Sequence, residues 1–424
     1  MQSSKDILIV GGGVVGLASA HYLAQAGHSI RIIERDPSLG QSCSEGNAGM
    51  VVPSHFIPLA APGVITQGLK WMFNPRSPFF LRPRLSPSLA RWIWLFARHS
   101  TKGHVERTRE LLRDLSLESR RLHVELSEQE NFPLIQKGLL MLCRSEAGLE
   151  EEAEVADHAH SLGLEAEVCD AARVRELEPG AEISAKGGVW WPQDCHLSPG
   201  HFIEALRKFI QSKGGEFITG EVTQLAASNG KAESVTTKTG ETYQAETIVL
   251  AGGIDTTGLA KQVGLNLPMQ GGKGYSLTLP EPVANPQLCS LLKEGRVAVT
   301  PMGDSLRVAG TMEICGKNTS ISKPRLQGVI EAFCQFYPQY QPSDFKDLAP
   351  WVGLRPCSPD GLPYLGHAPK LSNLIIATGH AMMGLSLAPV TGKLVADLIN
   401  NAAPKINITQ LNPDRFQFVG GNVS

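Results

Sequence analysis

The 424-residue sequence contains no C-x-x-C pair, no long run of one charge and no apolar stretch long enough to span a bilayer. Each absence excludes something. The eight cysteines, Cys43, Cys143, Cys169, Cys195, Cys289, Cys315, Cys334 and Cys357, are scattered. They read as reduced thiols and not as a disulfide framework or a zinc site, so no metal is expected. A formal net charge of −2 leaves no electrostatic footprint for nucleic acid. An apolar run begins almost immediately after Lys5, so no secretory signal is expected and the cytoplasm is the expected compartment. Peripheral membrane contact rests on residues 92–97, WIWLFA, bounded by Arg91 and Arg98. As a helix this segment spreads Trp92, Trp94 and Phe96 around its circumference, which favours burial over an anchor.

What is present begins with glycine. Residues 7–10 are wholly apolar, as in a buried parallel strand, and Gly11, Gly13 and Gly16 follow as G-x-G-x-x-G. Gly11 permits a tight turn, Gly13 lets a pyrophosphate approach the backbone, and Gly16 lets the next helix pack closely. That helix is expected over 14–26, with Val15, Leu17, Ala18, Leu23 and Ala24 inward and His21, Gln25 and His28 on the wetter side. A second strand over 30–33 ends at Glu34, whose carboxylate can accept hydrogen bonds from ribose hydroxyls. Strand, turn, helix, strand and terminal acid in order form a dinucleotide fingerprint, and the helix N-terminus suits a pyrophosphate. The motif alone leaves FAD and NAD both open.

Further along, residues 42–49 read SCSEGNAG, a polar loop placed to approach the same pyrophosphate. Residues 53–87, rich in proline and aromatics, read as a packed connection. Helices are expected over 87–127, 146–162, 324–337 and 388–399, and an amphipathic helix carries Phe202, Ala205, Leu206, Phe209 and Ile210. Strands are expected over 138–143, 187–192, 216–250 around Asn229-Gly230 and Thr239-Gly240, and 297–312 around Gly303-Asp304. Two buried strands, 247–251 and 374–378, run directly into glycines. Glycine-rich strand–helix transitions therefore stand at both ends of the chain.

GGGVVG with Glu34, the GNAG loop, IVLAGG, GLRPCSPDG and TGHAMMGLSLAPVTGKLVADLI occur in this order. Together they resemble the FAD-dependent D-amino acid oxidase superfamily, above all its D-amino acid dehydrogenase branch, with glycine and sarcosine oxidases as more distant relatives. The resemblance implies an α/β fold, with a Rossmann-like FAD-binding domain of the glutathione-reductase type and a discontinuous α+β substrate domain built on an antiparallel sheet. It implies residues 1–80, 195–265 and 353–424 for the first and 81–194 and 266–352 for the second. It implies that Gly11, Gly13, Val14, Val15, Gly16, Glu34 and Arg35 hold the ADP half of FAD, with Val222 meeting the adenine through its backbone. Ser42, Asn47, Ala48, Gly49 and Gly252 would line the pyrophosphate and flavin, and Gly379, Met383, Gly384 and Leu385 would sit by the flavin ring.

Arg355 matches the arginine that clamps the substrate carboxylate in these relatives, against the alternative of a structural ion pair. Two departures matter. A second arginine found in glycine oxidase-like relatives is absent from Ala381-Met382-Met383, which implies a more apolar pocket. Cys357 fits poorly the cysteine that attaches flavin covalently in some relatives, which implies non-covalent FAD. Tyr275 has two readings, a hydroxyl aimed at substrate or core packing. His55, His196 and His380 are candidates for the pocket wall, against the commoner role of a histidine satisfied in the core. The expected reaction is dehydrogenation of D-amino acids with apolar or cyclic side chains, such as D-proline or hydroxy-D-proline, by hydride transfer to the flavin, with a quinone or other acceptor. Alternatives are an oxygen-using glycine or sarcosine-type oxidase, a flavin-bearing subunit of an electron-transfer assembly, and an NAD-dependent dehydrogenase.

Overall fold

A computed structural model describes residues 4–38, 42–72 and 74–417. The apolar runs that bracket glycines assemble into one six-stranded sheet. Its order is Glu216–Thr219, Ser29–Glu34, Asp6–Val10, Thr247–Leu250, Leu374–Thr378 and Tyr364–His367. The first five strands are parallel and the last pairs antiparallel. Both faces are covered, which explains strands that are apolar without alternation. Ile7 and Ile9 face a layer of three helices, Val14–Gln25, Pro199–Ser212 and Ala388–Ile399. Leu8 and Val10 face a three-stranded antiparallel sheet, Val222–Ser228, Lys231–Thr237 and Thr242–Gln244, through Leu225, Ala232 and Val235.

The larger sheet runs Trp351–Cys357, Gln270–Pro280, Ser305–Ile314, Val297–Met302, Cys289–Leu292, Leu139–Cys143, Gly187–Trp191 and Glu167–Asp170, with Phe79–Leu81 added beside Ser305–Ile314. It is antiparallel except where Cys289–Leu292 meets Leu139–Cys143 and where Phe79–Leu81 joins. The strand that carries Arg355 belongs to this sheet, so the division drawn at residue 353 falls inside a strand. The division drawn at residue 80 does the same within Phe79–Leu81.

Two local expectations are corrected. The helical stretch 87–127 is two helices, Pro87–His99 and Lys102–Gln129. Ser86 and Thr101 cap them, each hydroxyl accepting a backbone N–H of the first turn, so the break at Ser100 is a genuine second start. His21 and His28 are buried and not on a wet face. His21 lies 3.0 Å from Glu130 and packs on Phe209, because the helix Pro199–Ser212 and the end of Lys102–Gln129 cover that side. Trp92 is buried, donates its indole N–H to the Cys357 carbonyl at 2.9 Å, and stacks on Phe96. In this segment only Ile93 and Trp94 are exposed among the described large apolar side chains.

Candidate active site

The two sheets enclose a cavity of about 1970 Å3. Ordinary ligand sites hold about 300–1,000 Å3, so this one has room for a dinucleotide and a second molecule. One wall is the glycine turn. Gly11 adopts φ +112° and a side chain there would meet the Ala251 carbonyl at 2.6 Å. The helix Val14–Gln25 begins at this wall, with Val14 and Val15 lining the cavity. The Val14 amide donates to the Ser44 hydroxyl at 3.0 Å, which stitches the polar loop to the helix N-terminus. Glu34 lines the same end. Its carboxylate accepts from the amides of Gly12 at 2.7 Å and Asp36 at 3.0 Å, which fixes its direction.

Arg355 lines the same cavity. Its guanidinium donates to the Thr311 carbonyl at 2.8 Å, and no carboxylate of the described residues lies within ion-pair distance. Burial lowers its pKa below the ordinary arginine value, with only the Cys43 and Cys357 thiols opposing. A desolvated cation without a counter-ion, facing a cavity, is a site for an anion. Two backbone features create it. Thr311 holds φ +72°, an outlying conformation for a β-branched residue, at an irregularity of the Gln270–Pro280 and Ser305–Ile314 pairing. Gly274 leaves the space the guanidinium fills: a Cβ there would lie 2.2 Å from Nη1.

The family described as FAD dependent oxidoreductase matches residues 6–398. The chain belongs to this family. Its cofactor is FAD, and the donor set fits: a glycine turn at a helix N-terminus for the pyrophosphate and an anchored acid for the ribose. The chain is 34% identical to a D-amino acid dehydrogenase of Methylobacterium nodulans over 97% of its own length and 99% of that protein. It is 31% identical to a D-amino acid dehydrogenase of Helicobacter pylori, covering 95% and 97% of the two chains. Among solved structures, glycine oxidase from Geobacillus kaustophilus superposes with a TM-score of 0.77 at 24% identity, over 98% of this chain and 99% of that one. This likeness bears on the fold alone.

Within this FAD-dependent oxidoreductase, most of the residues singled out in sequence meet at one cavity. Gly11, Gly13, Val14, Val15, Glu34, Arg35, Ser42, Asn47, Ala48, Val222, Gly252, Met383, Gly384 and Leu385 line it, as do His55 and Arg355. Gly16, Gly49 and Gly379 stand behind its wall, where each permits a close backbone or ring approach. Arg35 is committed to Asp255 at 2.8 Å, and Asp255 also pairs with Lys317, so the three bridge the cavity rim. His380 lines the cavity but binds Thr391 at 2.9 Å, and burial lowers its pKa to about 4. His196 is buried away from the cavity lining and is likewise held at about 4.

Tyr275 is placed on the opposite face of its strand from Arg355's space. Its hydroxyl donates to Glu313 and accepts from the Ser322 amide at 3.0 Å, deep in a cluster with Lys273. The core-packing reading is the one its position supports. Met382 lies half exposed at the cavity mouth and not on its floor.

Sequence reasoning missed several participants. Ser44 lay within the quoted loop but was not separated from its neighbours. Arg307, half-buried in an apolar strand, donates to the carbonyls of Glu45 at 2.7 Å and Asn47 at 2.8 Å and so shapes the loop. A single arginine in SLRVAGTM was the available signal. Nothing in the sequence marks the strain at Thr311.

Gly274→Ala supplies a test of the arrangement. The atom it displaces is the far end of a flexible side chain, so the protein should fold and bind FAD normally. The guanidinium must leave its place, and the apparent KM for a carboxylate-bearing substrate should rise about tenfold or more. Steady-state kinetics beside flavin absorbance would check it, and unchanged KM would detach Arg355 from substrate.

Proposed function

We propose that this flavoprotein oxidises D-amino acids with apolar or cyclic side chains at the Cα–N bond and passes the electrons to a quinone or similar acceptor. The observation that carries this reading is Arg355, a half-buried guanidinium without a carboxylate partner among the described residues, lining the same cavity as the dinucleotide fingerprint. A planar fork that binds both oxygens of a carboxylate selects amino acids over simple amines. FAD supplies the hydride acceptor. Arg355 orients the α-carbon, and the apolar wall, including Met141, Leu354 and Met383, excludes water. The D configuration and the dehydrogenase class are taken from the relatives' names, and the preference for an apolar or cyclic side chain from the cavity wall.

Non-covalent FAD is supported by the thiols. Cys357 is fully buried and off the cavity lining, with its pKa pushed up to about 12. Cys43 does line the cavity, but burial pushes its pKa to about 11, so it stays a protonated, weakly nucleophilic thiol. An apolar acceptor is supported by Ile65, Leu69, Ile93 and Met382, which line the cavity and are also exposed at its mouth. The same rim is the place for peripheral membrane contact, since Trp92 is internal. No helix of the described residues is long and apolar enough to cross a membrane.

Anaerobic mixing with an amino acid panel tests the reading. D-proline, hydroxy-D-proline or D-alanine should bleach the flavin quickly and the L enantiomers slowly, with slow reoxidation in air and fast reoxidation by a quinone. Rapid peroxide formation would make it an oxidase, and preference for glycine or sarcosine would move it to that branch. Leu69→Ser/Ile93→Ser should slow reoxidation by a lipophilic quinone and reduce vesicle flotation while leaving bleaching unchanged. Equal behaviour of both proteins would remove the rim from acceptor docking.

A further inference from the structure

Behind one wall of the cavity, three polar side chains run in line through apolar packing. Asp194 sits on the turn between Gly187–Trp191 and Cys195–Leu197 and is fully buried. Its two carboxylate oxygens are both engaged by Ser54: the Ser54 amide donates to Oδ1 at 3.0 Å and the hydroxyl to Oδ2 at 2.6 Å. The same hydroxyl oxygen lies 3.1 Å from Nδ1 of His55, and His55 lines the cavity. The neighbours are Val52, Phe56, Trp191 and Cys289, an apolar surrounding in which an uncompensated carboxylate would be costly.

The directions of these bonds follow from counting protons. An ionised carboxylate only accepts, so the single hydroxyl proton of Ser54 goes to Asp194. The Ser54 oxygen then accepts from His55, which places the ring's one proton on Nδ1. Nε2 is left with its lone pair, and it has no hydrogen-bond partner among the described residues. The chain thus presets the tautomer of a histidine at a cavity wall.

We propose that Asp194 and Ser54 are positioning residues that hold His55 as the proton acceptor for the α-ammonium group of the substrate. This rests on the amino acid reading above. An amino acid in water carries an ammonium group, and its nitrogen needs a free lone pair before the Cα hydrogen can leave as hydride. In the step, one N–H bond of the ammonium breaks, its electron pair stays on nitrogen, and the proton bonds to His55 Nε2. The imidazolium so formed is stabilised through Ser54 by the Asp194 carboxylate.

The electrostatic setting agrees with this geometry. Burial, assisted by Arg296, lowers His55 to about 4, so the resting ring is neutral. Desolvation in the same cavity makes an entering ammonium a stronger acid in the same way. Burial raises Asp194 to about 7 against its two bonds from Ser54 and the charge of Arg120. The Cys195 and Cys289 thiols beside it are held protonated. As pH falls through about 7 the carboxyl gains a proton and can donate to Ser54, which turns the Ser54 proton toward His55 and removes the acceptor at Nε2. Activity should therefore fall on the acid side.

Asp194→Asn tests this, because its shape is kept and one acceptor becomes a donor. The amide would donate to Ser54, Ser54 would donate to His55 Nδ1, and Nε2 would carry the proton. In protein labelled with 15N at histidine rings, the His55 signal, identified by its loss in His55→Gln, should change from the Nδ1–H to the Nε2–H form. Turnover should drop about tenfold or more at pH 7.5 with KM changed less than about threefold. The acid limb of the kcat profile near pH 7 should vanish, and bleaching by dithionite should be unaltered. Ser54→Ala should lose turnover similarly and Ser54→Thr should recover it, which keeps the test open if Asp194→Asn folds poorly. An unchanged tautomer, or an unchanged kcat profile in both Asp194→Asn and Ser54→Ala, overturns the proposal. If no amino acid bleaches the wild-type flavin, the amino acid reading has failed. A tautomer change would then uphold the hydrogen-bond chain and overturn only its assignment to an ammonium group.

Discussion

Arg355→Ala is expected to leave FAD bound and to lower kcat/KM about a hundredfold or more. The guanidinium touches the cavity through its exposed face, while its only hydrogen bond among the described residues is to the Thr311 carbonyl. Removing it therefore costs the fold little and costs the transition state a charge-assisted, two-point anchor. Such an anchor is worth on the order of 3 kcal/mol, which corresponds to roughly a hundredfold in rate. Arg355→Lys should recover only part of the loss, because an ammonium is a point charge and cannot match both oxygens in plane. Flavin absorbance, melting temperature and kinetics on one preparation separate the possibilities. Near-normal kinetics in the alanine variant would place the carboxylate anchor elsewhere.

The second large effect is expected at the other wall. In Gly16→Ala the new Cβ would lie 2.0 Å from the Gly11 carbonyl oxygen, an impossible approach to rigid backbone. The helix Val14–Gln25 must lift away from the turn, and the amides at its N-terminus lose their aim at the pyrophosphate. FAD affinity should fall at least about a hundredfold, about 3 kcal/mol, and the protein should leave gel filtration nearly colourless. Gly27→Ala is the control. It has φ +87° but nothing within 4 Å of a new Cβ, so it should lose some stability, about 1 kcal/mol, and keep its flavin. Wild-type flavin content in Gly16→Ala would show that the helix N-terminus does not hold the pyrophosphate.

The parts of the fold that were legible in sequence share a cause. Where glycines interrupt an apolar run, as at residues 10–16 and 247–253, the local backbone demand and the tertiary placement are the same fact, and the strands appear where expected. The helix 388–399 was equally clear because a strand enters glycines before it. The errors arise where burial is decided by distant chain. His21 looks polar on a helical wheel and is buried because Pro199–Ser212 and Glu130 arrive from far away. Tyr275 and Arg355 occupy adjacent strands, and only the pairing of Gly274 with Gly353 tells which of them reaches the cavity. Asp194 carried no signal at all, since a lone aspartate in a turn usually faces water.

The two ends of the described chain are bound to each other. Lys5 donates to the Ile399 carbonyl at 2.7 Å, and Gly392 packs so closely that a side chain there would meet the Ala18 backbone at 2.4 Å. The strand Leu374–Thr378 also completes the sheet begun by Asp6–Val10. During synthesis the glycine turn therefore leaves the ribosome long before the helix Ala388–Ile399, which packs on the helix that follows the turn. The larger sheet, all of whose strands lie between residues 79 and 357, can pair before that closure. Nascent chains would wait with an open nucleotide half until the helix Ala388–Ile399 has emerged.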